Sequence, residues 1–554
     1  MAEYRHGGDL LAKAVKAAYE DGETDYSMKP FVRLDDSGAP IGKIKDGDAV
    51  IFCCRRGERE IELTDAFTAR EFPHFDRVPP VDLEFVILTM YHEKYADMPI
   101  AFAPASIAGT VAEAVSRAGL RQLHCAESEK FAHVTYFFNG GNSKPFPGED
   151  DVCIPSPKGI PFEKAPALSL PQVADSVISG IGAGYDFIVA NFANGDVIGH
   201  TTDTDAKIEC VRQVDFHLGR VLESAGTAGY VAVITADHGN LEELTTPEGG
   251  PHVSHTGNPV DLLIVDPEAG SPYQVKNGAL CDVGPTVLGF LRIEPTEAMT
   301  GRSLAQPFDR RDDGPAPDRS DNGSAPNRGD NGSAPNRGDD GSAPNRRVLL
   351  LILDGWGAGP RENDDPIWIA ETPVWDNLVK EFPPAIILTS GEAVGLQAGK
   401  PGNSEAGHIN IGAGRVVKQD DVRLDEAMND GSFENNEVLL GTIKLVRERK
   451  TRLHLLFLLT KKSSHGSIDY PLAILKMARD LPEIYLHAIF DGRSTPPGSA
   501  PDLLKELDKL LQETGADCQI VDGIGRGIAL DRDGNYAKIQ KAYDALVYGA
   551  GAQY

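Results

Sequence analysis

No run of apolar residues in this sequence is long enough to cross a bilayer: the longest aliphatic stretch, Val348–Leu353, has six residues, where a spanning helix needs about 20. The first residues, Met-Ala-Glu-Tyr-Arg-His-Gly-Gly-Asp, contain no apolar segment of the kind that directs export, so the expected location is the cytoplasm. Cysteine is scarce. The seven present are an odd number without any Cys-x-x-Cys spacing, which points away from a disulfide framework and from a cysteine zinc site. A basic excess is also missing. The formal net charge of -29 argues against nucleic acid or an anionic membrane as partner. An anionic substrate would need a local basic cluster working against that overall field. Length and composition are otherwise ordinary: 554 residues suffice for two or more domains, and 41% hydrophobic content is that of a globular protein.

What the chain does have is carboxylate and imidazole at the ends of apolar runs. Asp-Phe-Ile-Val-Ala-Asn-Phe-Ala-Asn (186–194) reads as a buried parallel strand, and Asp196 and His200 follow it. After an amphipathic helix, Tyr-Val-Ala-Val-Ile-Thr (230–235) reads as a second strand that empties into Asp237 and His238, and Pro-His-Val-Ser-His-Thr (251–256) comes next. Any one of these taken alone is an ordinary polar loop residue. As a set they recur only at strand ends, and in an open α/β sheet ligands bind in the crevice at the carboxyl ends of the strands. Mixed Asp/His ligation suits Mn²⁺, Zn²⁺ or Fe²⁺ and gives little reason to expect Ca²⁺.

Residues 1–103 open with a helical pattern (Leu10, Leu11, Ala14, Val15, Ala18) and pass through a strand at 49–54 into Arg-Arg-Gly-Glu-Arg (55–59). Such a loop can fork onto a phosphate or carboxylate, or remain a solvated turn. From 104 to 307 helix and strand alternate, as a doubly wound sheet requires. There the stretch 126–135 puts Lys130 and His133 near a strand start, with His133 expected to be a hydrogen-bonded structural histidine. A helix over 204–224 lines up Ile208, Val211, Val214, Leu218 and Val221 as core, leaving His217 without a role, and Asp282 is expected to cap a helix opened by Cys281. Residues 308–346 are different material: Gly-Ser-Ala-Pro-Asn-Arg recurs at Gly323, Gly332 and Gly341, a period of nine without a large apolar residue. That absence excludes both a packed core and a Ca²⁺-binding β-roll, so the segment reads as a flexible tether, spanning on the order of 35 Å. Val-Leu-Leu-Leu-Ile-Leu-Asp-Gly-Trp-Gly (348–357) then gives a first strand ending in Asp354. In Gly-Asn-Ser-Glu-Ala-Gly-His (402–408), Ser404 stands at a helix start among small residues, where a hydroxyl is exposed and backbone N–H groups are free for an anion; serine also serves commonly as a cap there. Over 419–554 the strand ends deliver His465, Arg493, Arg526 and Arg532, which reads as an anion-binding face.

Asp-Gly-Trp-Gly, Gly-Asn-Ser-Glu-Ala-Gly-His, Phe-Asp-Gly-Arg-Ser-Thr-Pro-Pro, Asn-Phe-Ala-Asn-Gly-Asp-Val-Ile-Gly-His-Thr and Thr-Ala-Asp-His-Gly-Asn together resemble the cofactor-independent phosphoglycerate mutases of the alkaline phosphatase superfamily. The resemblance covers nearly everything outside 308–346, in rotated order: the segments that come first in the family follow the tether here. A circular permutation accounts for this, since the two portions are complementary; a joined pair of gene fragments that no longer assemble is the rival account. The resemblance implies an α/β fold of two domains, both discontinuous in sequence. One is an alkaline-phosphatase-like doubly wound metal domain (104–307 and 347–418), the other a substrate, or transferase, domain (1–103 and 419–554). It also implies that Ser404 is the nucleophile that becomes phosphoserine. One metal is expected on Asp196, His200 and His255, the second on Asp354, Ser404, Asp237 and His238. His255 is preferred to His252 because it holds the family's place in His-Thr-x-Asn-Pro. Substrate is expected on Arg56, Arg59, Lys130, His465, Arg493, Arg526 and Arg532.

The implied reaction is the interconversion of 3-phosphoglycerate and 2-phosphoglycerate, in a monomer that uses two divalent cations and no 2,3-bisphosphoglycerate. Mn²⁺ is expected, with Mg²⁺, Zn²⁺ or Co²⁺ as alternatives, and the partner is a small phosphorylated acid. Three departures from the family pattern fall outside the metal residues: Ser494 replaces the aspartate that shuttles a proton, Lys462-Ser-Ser-His-Gly-Ser467 replaces Gly-Gly-Val-His-Ser-His, and Arg56-Gly-Glu-Arg59 replaces Arg-Pro-Asp-Arg. A serine hydroxyl is a poor general base, which leaves a metal-dependent phosphomonoester phosphatase, or a catalytically impaired relative, as the alternative reading.

Overall fold

A computed structural model describes residues 6–55, 59–104, 107–269, 273–305, 346–461, 463 and 465–554. Arg56 and, except for Arg346, the tether lie outside the described residues. The chain divides into two compact units: Ser106–Gln419, here the central unit, and Met1–Ala105 with Asp420–Tyr554, the terminal unit. In chain order the strands are β1 (Phe31–Val32), β2 (Ala49–Phe52), β3 (Glu84–Thr89), β4 (Ile100–Phe102), β5 (Gln122–Glu127), β6 (Glu149–Ile154), β7 (Phe187–Phe192), β8 (Val231–Thr235), β9 (Val260–Val265), β10 (Gly278–Ala279), β11 (Val348–Leu353), β12 (Ala385–Leu388), β13 (Leu453–Leu459), β14 (Ile484–Phe490), β15 (Cys518–Gly525) and β16 (Ala552–Gln553). No helix among the described residues is long and apolar enough to cross a membrane.

The central unit is built on the sheet β10-β12-β9-β8-β11-β7-β5-β6. Six consecutive aliphatic residues make β11 a strand that must be covered on both faces, and all six are buried. It lies parallel between β7 and β8, with Val348 opposite both Phe187 and Val231 and Leu353 opposite Phe192. The portions before and after the tether therefore complete one sheet, and the carboxyl ends of β7, β8 and β11 come level at one edge. Helices pack in two groups. One contains Leu170–Ala183, Thr204–Thr227 and Pro373–Glu381; the other contains Val111–Arg117, Leu280–Leu291 and Ser404–Ala413. This is the α/β layering that alternating strand and helix patterns predict.

The terminal unit carries the sheet β16-β1-β15-β14-β13-β2-β3-β4, parallel from β15 to β4. Successive residues of β13 feed opposite faces: Leu455 and Phe457 join one core cluster, Leu456 and Leu458 the other. Helices Gly8–Glu20 and Ala500–Thr514 pack together, as do Ile61–Thr68 and Tyr536–Tyr548.

Three local expectations are corrected. The stretch 126–135 is a strand end, not a start: β5 stops at Glu127, Lys130 lies in the turn beyond it, and His133–Phe137 forms a wide helical turn. His133 stacks on Phe137, and its buried Nδ1 has no hydrogen-bond partner among the described residues, so it is not the hydrogen-bonded histidine expected. Asp282 is not the cap of its helix but sits in the first turn of Leu280–Leu291, where its carboxylate accepts the N–H of the capping residue Ala279 at 2.9 Å. The carboxylate reaches back along the chain, so the helix starts two residues before it.

Candidate active site

Four strand ends supply the side chains at the carboxyl edge of the central sheet. β11 runs straight into Asp354, and β8 is followed by Asp237 and His238. β7 leads into the short helix Asn194–Gly199 that carries Asp196, and β5 precedes Lys130. The fifth contribution is the helix Ser404–Ala413. Asn403 caps it by accepting the Ala406 N–H at 2.8 Å, which leaves Ser404 as the first helical residue with its hydroxyl turned into the cluster. Backbone passes close here because glycine permits it: a Cβ at Gly407 would lie 2.6 Å from the Asp237 Cβ, and one at Gly355 2.6 Å from the Asp196 nitrogen.

Ser404 Oγ is the centre of the arrangement. It lies 2.6 Å from Lys130 Nζ, 3.0 Å from His238 Nε2 and 3.2 Å from Asp354 Oδ1. Lys130 also donates to Asp196 at 2.6 Å and to Asp354 at 3.0 Å. Asp196 Oδ1 faces His255 Nε2 at 3.0 Å and His200 Nε2 at 3.2 Å. All seven expected metal residues are thus gathered, and His252 is not among them; it turns toward Glu243 instead. Lys130, expected with the substrate arginines, sits among the carboxylates.

Carboxylates outnumber the fixed cations here. Three buried aspartates face one ammonium, and Asp237 Oδ2 has no hydrogen-bond partner among the described residues. Burial disfavours charge on Lys130, but Asp354, Asp196 and Asp237 together raise its pKa above the usual lysine value. Burial likewise opposes the Asp196 carboxylate, yet Lys130, His200 and His255 hold it well below the usual carboxylate range. Asp354 is raised by burial and then by Asp237. Two ligand sets, Asp196/His238/His255 and Asp237/His238/Asp354, each bring three donor atoms within 4.8 Å of one another and could hold a metal ion. Carboxylate with imidazole is a donor set for Mn²⁺- or Zn²⁺-like ions, so residues and charge both fit divalent cations.

Two supporting residues escaped the sequence reading. Asn191 donates to Asp354 Oδ2 at 2.7 Å and to His408 Nε2 at 3.0 Å, while His408 Nδ1 faces Asp237 Oδ2 at 3.3 Å. Each left a trace: Asn191 interrupts an apolar strand, and His408 follows Ser404 by four residues, on the same helical face. In the terminal unit, His465, Arg493 and Arg526 follow the level ends of β13, β14 and β15, where Leu459 pairs with Phe490 and Phe490 with Gly525. Arg526 is buried and donates to Asp491 at 2.6 Å, Arg59 is buried and donates to the Leu530 carbonyl at 3.3 Å, and Arg493 and Arg532 are exposed.

Two family models match the chain: the metalloenzyme superfamily over residues 31–295, and the N-terminus of BPG-independent phosphoglycerate mutase over residues 424–554. Among curated relatives, the chain is 42% identical over 300 residues to the 2,3-bisphosphoglycerate-independent phosphoglycerate mutase of Moorella thermoacetica, covering 54% of this chain and 58% of that one. It is 43% identical to the protein of the same name from Syntrophotalea carbinolica, covering 53% and 57%. The chain is similar, over two separate portions of its length, to the cofactor-independent phosphoglycerate mutases. It spans less than two thirds of the length of these relatives. The match to the family's N-terminus falls at the end of this chain, after the metalloenzyme match, which is the order that a rotated family sequence gives. A solved phosphoglycerate mutase of Leishmania mexicana, titled as determined at low cobalt concentration, is 29% identical, with a TM-score of 0.41, covering 49% of this chain and 53% of that one.

Proposed function

We propose that this protein interconverts 3-phosphoglycerate and 2-phosphoglycerate through a phosphoserine on Ser404, at a site holding two divalent cations, with Mn²⁺ the preferred ion, as a cytoplasmic monomer. The observation that carries the reading is the Ser404 hydroxyl, within 3.2 Å of a lysine, a histidine and an aspartate drawn from three other loops. In this reading Asp196, His200 and His255 hold one cation, and Asp354, Ser404, Asp237 and His238 the other. The bound cations would supply the positive charge that phosphoryl transfer requires. Ser404 Oγ attacks phosphorus as the bond to the substrate's 3-oxygen breaks; the 2-hydroxyl oxygen then attacks, and the Ser404 oxygen leaves. One proton is given to the departing 3-oxygen and one is taken from the 2-hydroxyl, so the cycle balances. Lys130 places an ammonium 2.6 Å from the oxygen that alternates between nucleophile and leaving group. Arg56, Arg59, His465, Arg493, Arg526 and Arg532 are assigned to the substrate's anionic groups.

A phosphatase is the second reading, favoured by one departure: Ser494, exposed in the loop after β14, stands where the family pattern has an aspartate able to move a proton between hydroxyls. Incubating the protein with 3-phosphoglycerate and Mn²⁺ while following 2-phosphoglycerate and free phosphate separates the readings. The expected product is the isomer; phosphate alone would establish the second reading, and neither product would overturn both. Ser404→Ala should remove all turnover, and turnover that survived it would exclude a phosphoserine.

A further inference from the structure

Glu242 lies outside every ligand set, yet its carboxylate is fully buried and is approached by four donors. Oε2 accepts the Asn240 N–H at 2.8 Å and the Gly357 N–H at 3.2 Å. Oε1 accepts the Thr256 hydroxyl and the Asn258 side-chain amide, the latter at 2.9 Å. Those donors belong to three different loops. Asn240 follows Asp237 and His238, Gly357 follows Asp354, and Thr256 and Asn258 follow His255. The fourth ligand loop is reached through one more link, because Asn240 Nδ2 donates to Asp196 Oδ1 at 3.0 Å.

The sequence clears space for this one side chain. A Cβ at Gly239 would collide with Glu242 Oε1, one at Gly357 with its carboxyl carbon, and one at Gly359 would stand 2.8 Å from its Cβ. Three glycines from two loops let peptide groups close on a carboxylate, a geometry in which all donors point at acceptor-only oxygens.

We infer that Glu242 is the positioning residue that fixes the spacing of the two ligand sets, by tying the loops of Asp237–His238, Asp354 and His255 to a single carboxylate. The inference rests on the two-cation reading of the site. A carboxylate suits the role and an amide does not: glutamine has the same size but offers one acceptor oxygen, so two of the four donors would face an NH₂ group. Loss of such supporting contacts weakens metal affinity by about 10–100-fold.

The test is titration of the full-length, metal-stripped protein with Mn²⁺ alone, read by calorimetry, for the parent, Glu242→Gln, Thr256→Val and Asp215→Asn. Asp215 is the control for a merely structural carboxylate. It is buried in the same unit and accepts the Trp375 N–H at 2.7 Å and the Val374 N–H at 3.2 Å, at the start of helix Pro373–Glu381. Glu242→Gln should weaken Mn²⁺ by 10–100-fold, Thr256→Val by a smaller factor, and Asp215→Asn by less than twofold whatever it costs in unfolding temperature. Parent-like affinity in Glu242→Gln overturns the inference, as does an equal loss in Asp215→Asn. If Glu242→Gln does not fold, Thr256→Val decides alone, and unchanged affinity there overturns it. A parent that takes up no Mn²⁺ overturns the reading of the site itself, a result distinct from all the others.

Discussion

Asp48, His454, His487 and Asp522 form a buried string across the terminal sheet. His454 Nε2 is 3.1 Å from Asp48, His454 Nδ1 2.9 Å from His487 Nε2, and His487 Nδ1 2.5 Å from Asp522. The central unit's cluster uses the same residue types, yet the two are composed by opposite rules. Three hydrogen bonds in the string need three protons, and two neutral imidazoles hold two. With Arg452 on Asp48 at 2.9 Å, a third proton brings two carboxylates, one guanidinium and one imidazolium to formal neutrality. Burial, ahead of the neighbouring charges, lowers the His454 pKa to about 4. The central cluster is composed differently: three aspartates share one fixed cation, Lys130, and otherwise face the imidazoles of His200, His238, His255 and His408. Asp48 stands one residue before β2 and the other three lie within strands, with Asp522 Oδ1 the one string oxygen that lacks a hydrogen-bond partner among the described residues, whereas the central cluster lies at strand ends, on loops held by glycines. A self-neutral polar cluster serves the fold; an unbalanced one is built for a guest.

The contrast breaks most visibly at Asp237. Asp237→Asn should abolish measurable Mn²⁺ uptake, a larger loss than the 10–100-fold that supporting contacts cost, while costing the metal-free protein less stability than the loss of a string carboxylate costs, because His238 and Lys130, which favour the Asp237 carboxylate, keep Asp196 and Asp354 beside them. Titration and thermal unfolding of the same stripped sample check both halves. A large drop in unfolding temperature would mean that the central cluster, too, serves the fold.

The mirror experiment is Asp522→Ala. Removing one end of a buried, proton-balanced string strands its partners, at a cost of about 3–5 kcal/mol. Urea unfolding should register that loss, and Mn²⁺ affinity should stay within twofold of the parent. A change in affinity comparable to that of Asp237→Asn would dissolve the distinction between the clusters.

These two clusters differed just as much in how far they could be read in advance. Asp196, Asp237, His238 and Asp354 announce themselves because each polar residue follows an apolar run, and a parallel sheet brings such run ends level. Ser404 was visible for a local reason as well, a polar residue among glycine and alanine at a helix start. The string was not visible. His454 and His487 sit inside apolar strands, and they meet only because His454 pairs with Tyr485, two residues before His487 on the same face. Asp522 reaches His487 only through a register shift between Leu486 and His487 that skips Val521. Cross-strand register is long-range information that no local pattern carries. Glu242 was missed on the same ground: its four donors become neighbours only once three loops have closed.

A pH series sharpens the comparison at intermediate cost. His454 is wholly buried, faced by Asp48, His487, Arg452 and Tyr485, and its pKa is lowered to about 4 from an ordinary 6.5. Between those values the unfolded chain takes up a proton that the folded state refuses. Stability contributed by a neutral His454 is therefore present above pH 6.5 and is lost as pH falls toward 4, by about 3 kcal/mol over the whole window. Urea unfolding of the parent and of His454→Gln between pH 4 and 7.5 should show a shallower dependence in the variant; equal slopes would remove His454 from the acid response.

The smallest expected effect lies at the exposed loop of the terminal unit. There the sheet resembles the central one in presenting polar residues beyond level strand ends, but they are His465, Arg493 and Arg526, and Ser494 stands where the family pattern has an aspartate. Ser494→Asp adds a carboxylate beside exposed Arg493 with little consequence for packing, since both side chains are solvent-exposed. A carboxylate exchanges protons near neutrality far better than a hydroxyl, so the variant should raise the yield of 2-phosphoglycerate relative to free phosphate by a few-fold, with Mn²⁺ affinity and unfolding temperature unchanged. The product ratio at fixed Mn²⁺ is the measurement. An unchanged ratio would show that proton movement between the glycerate hydroxyls does not pass through this loop.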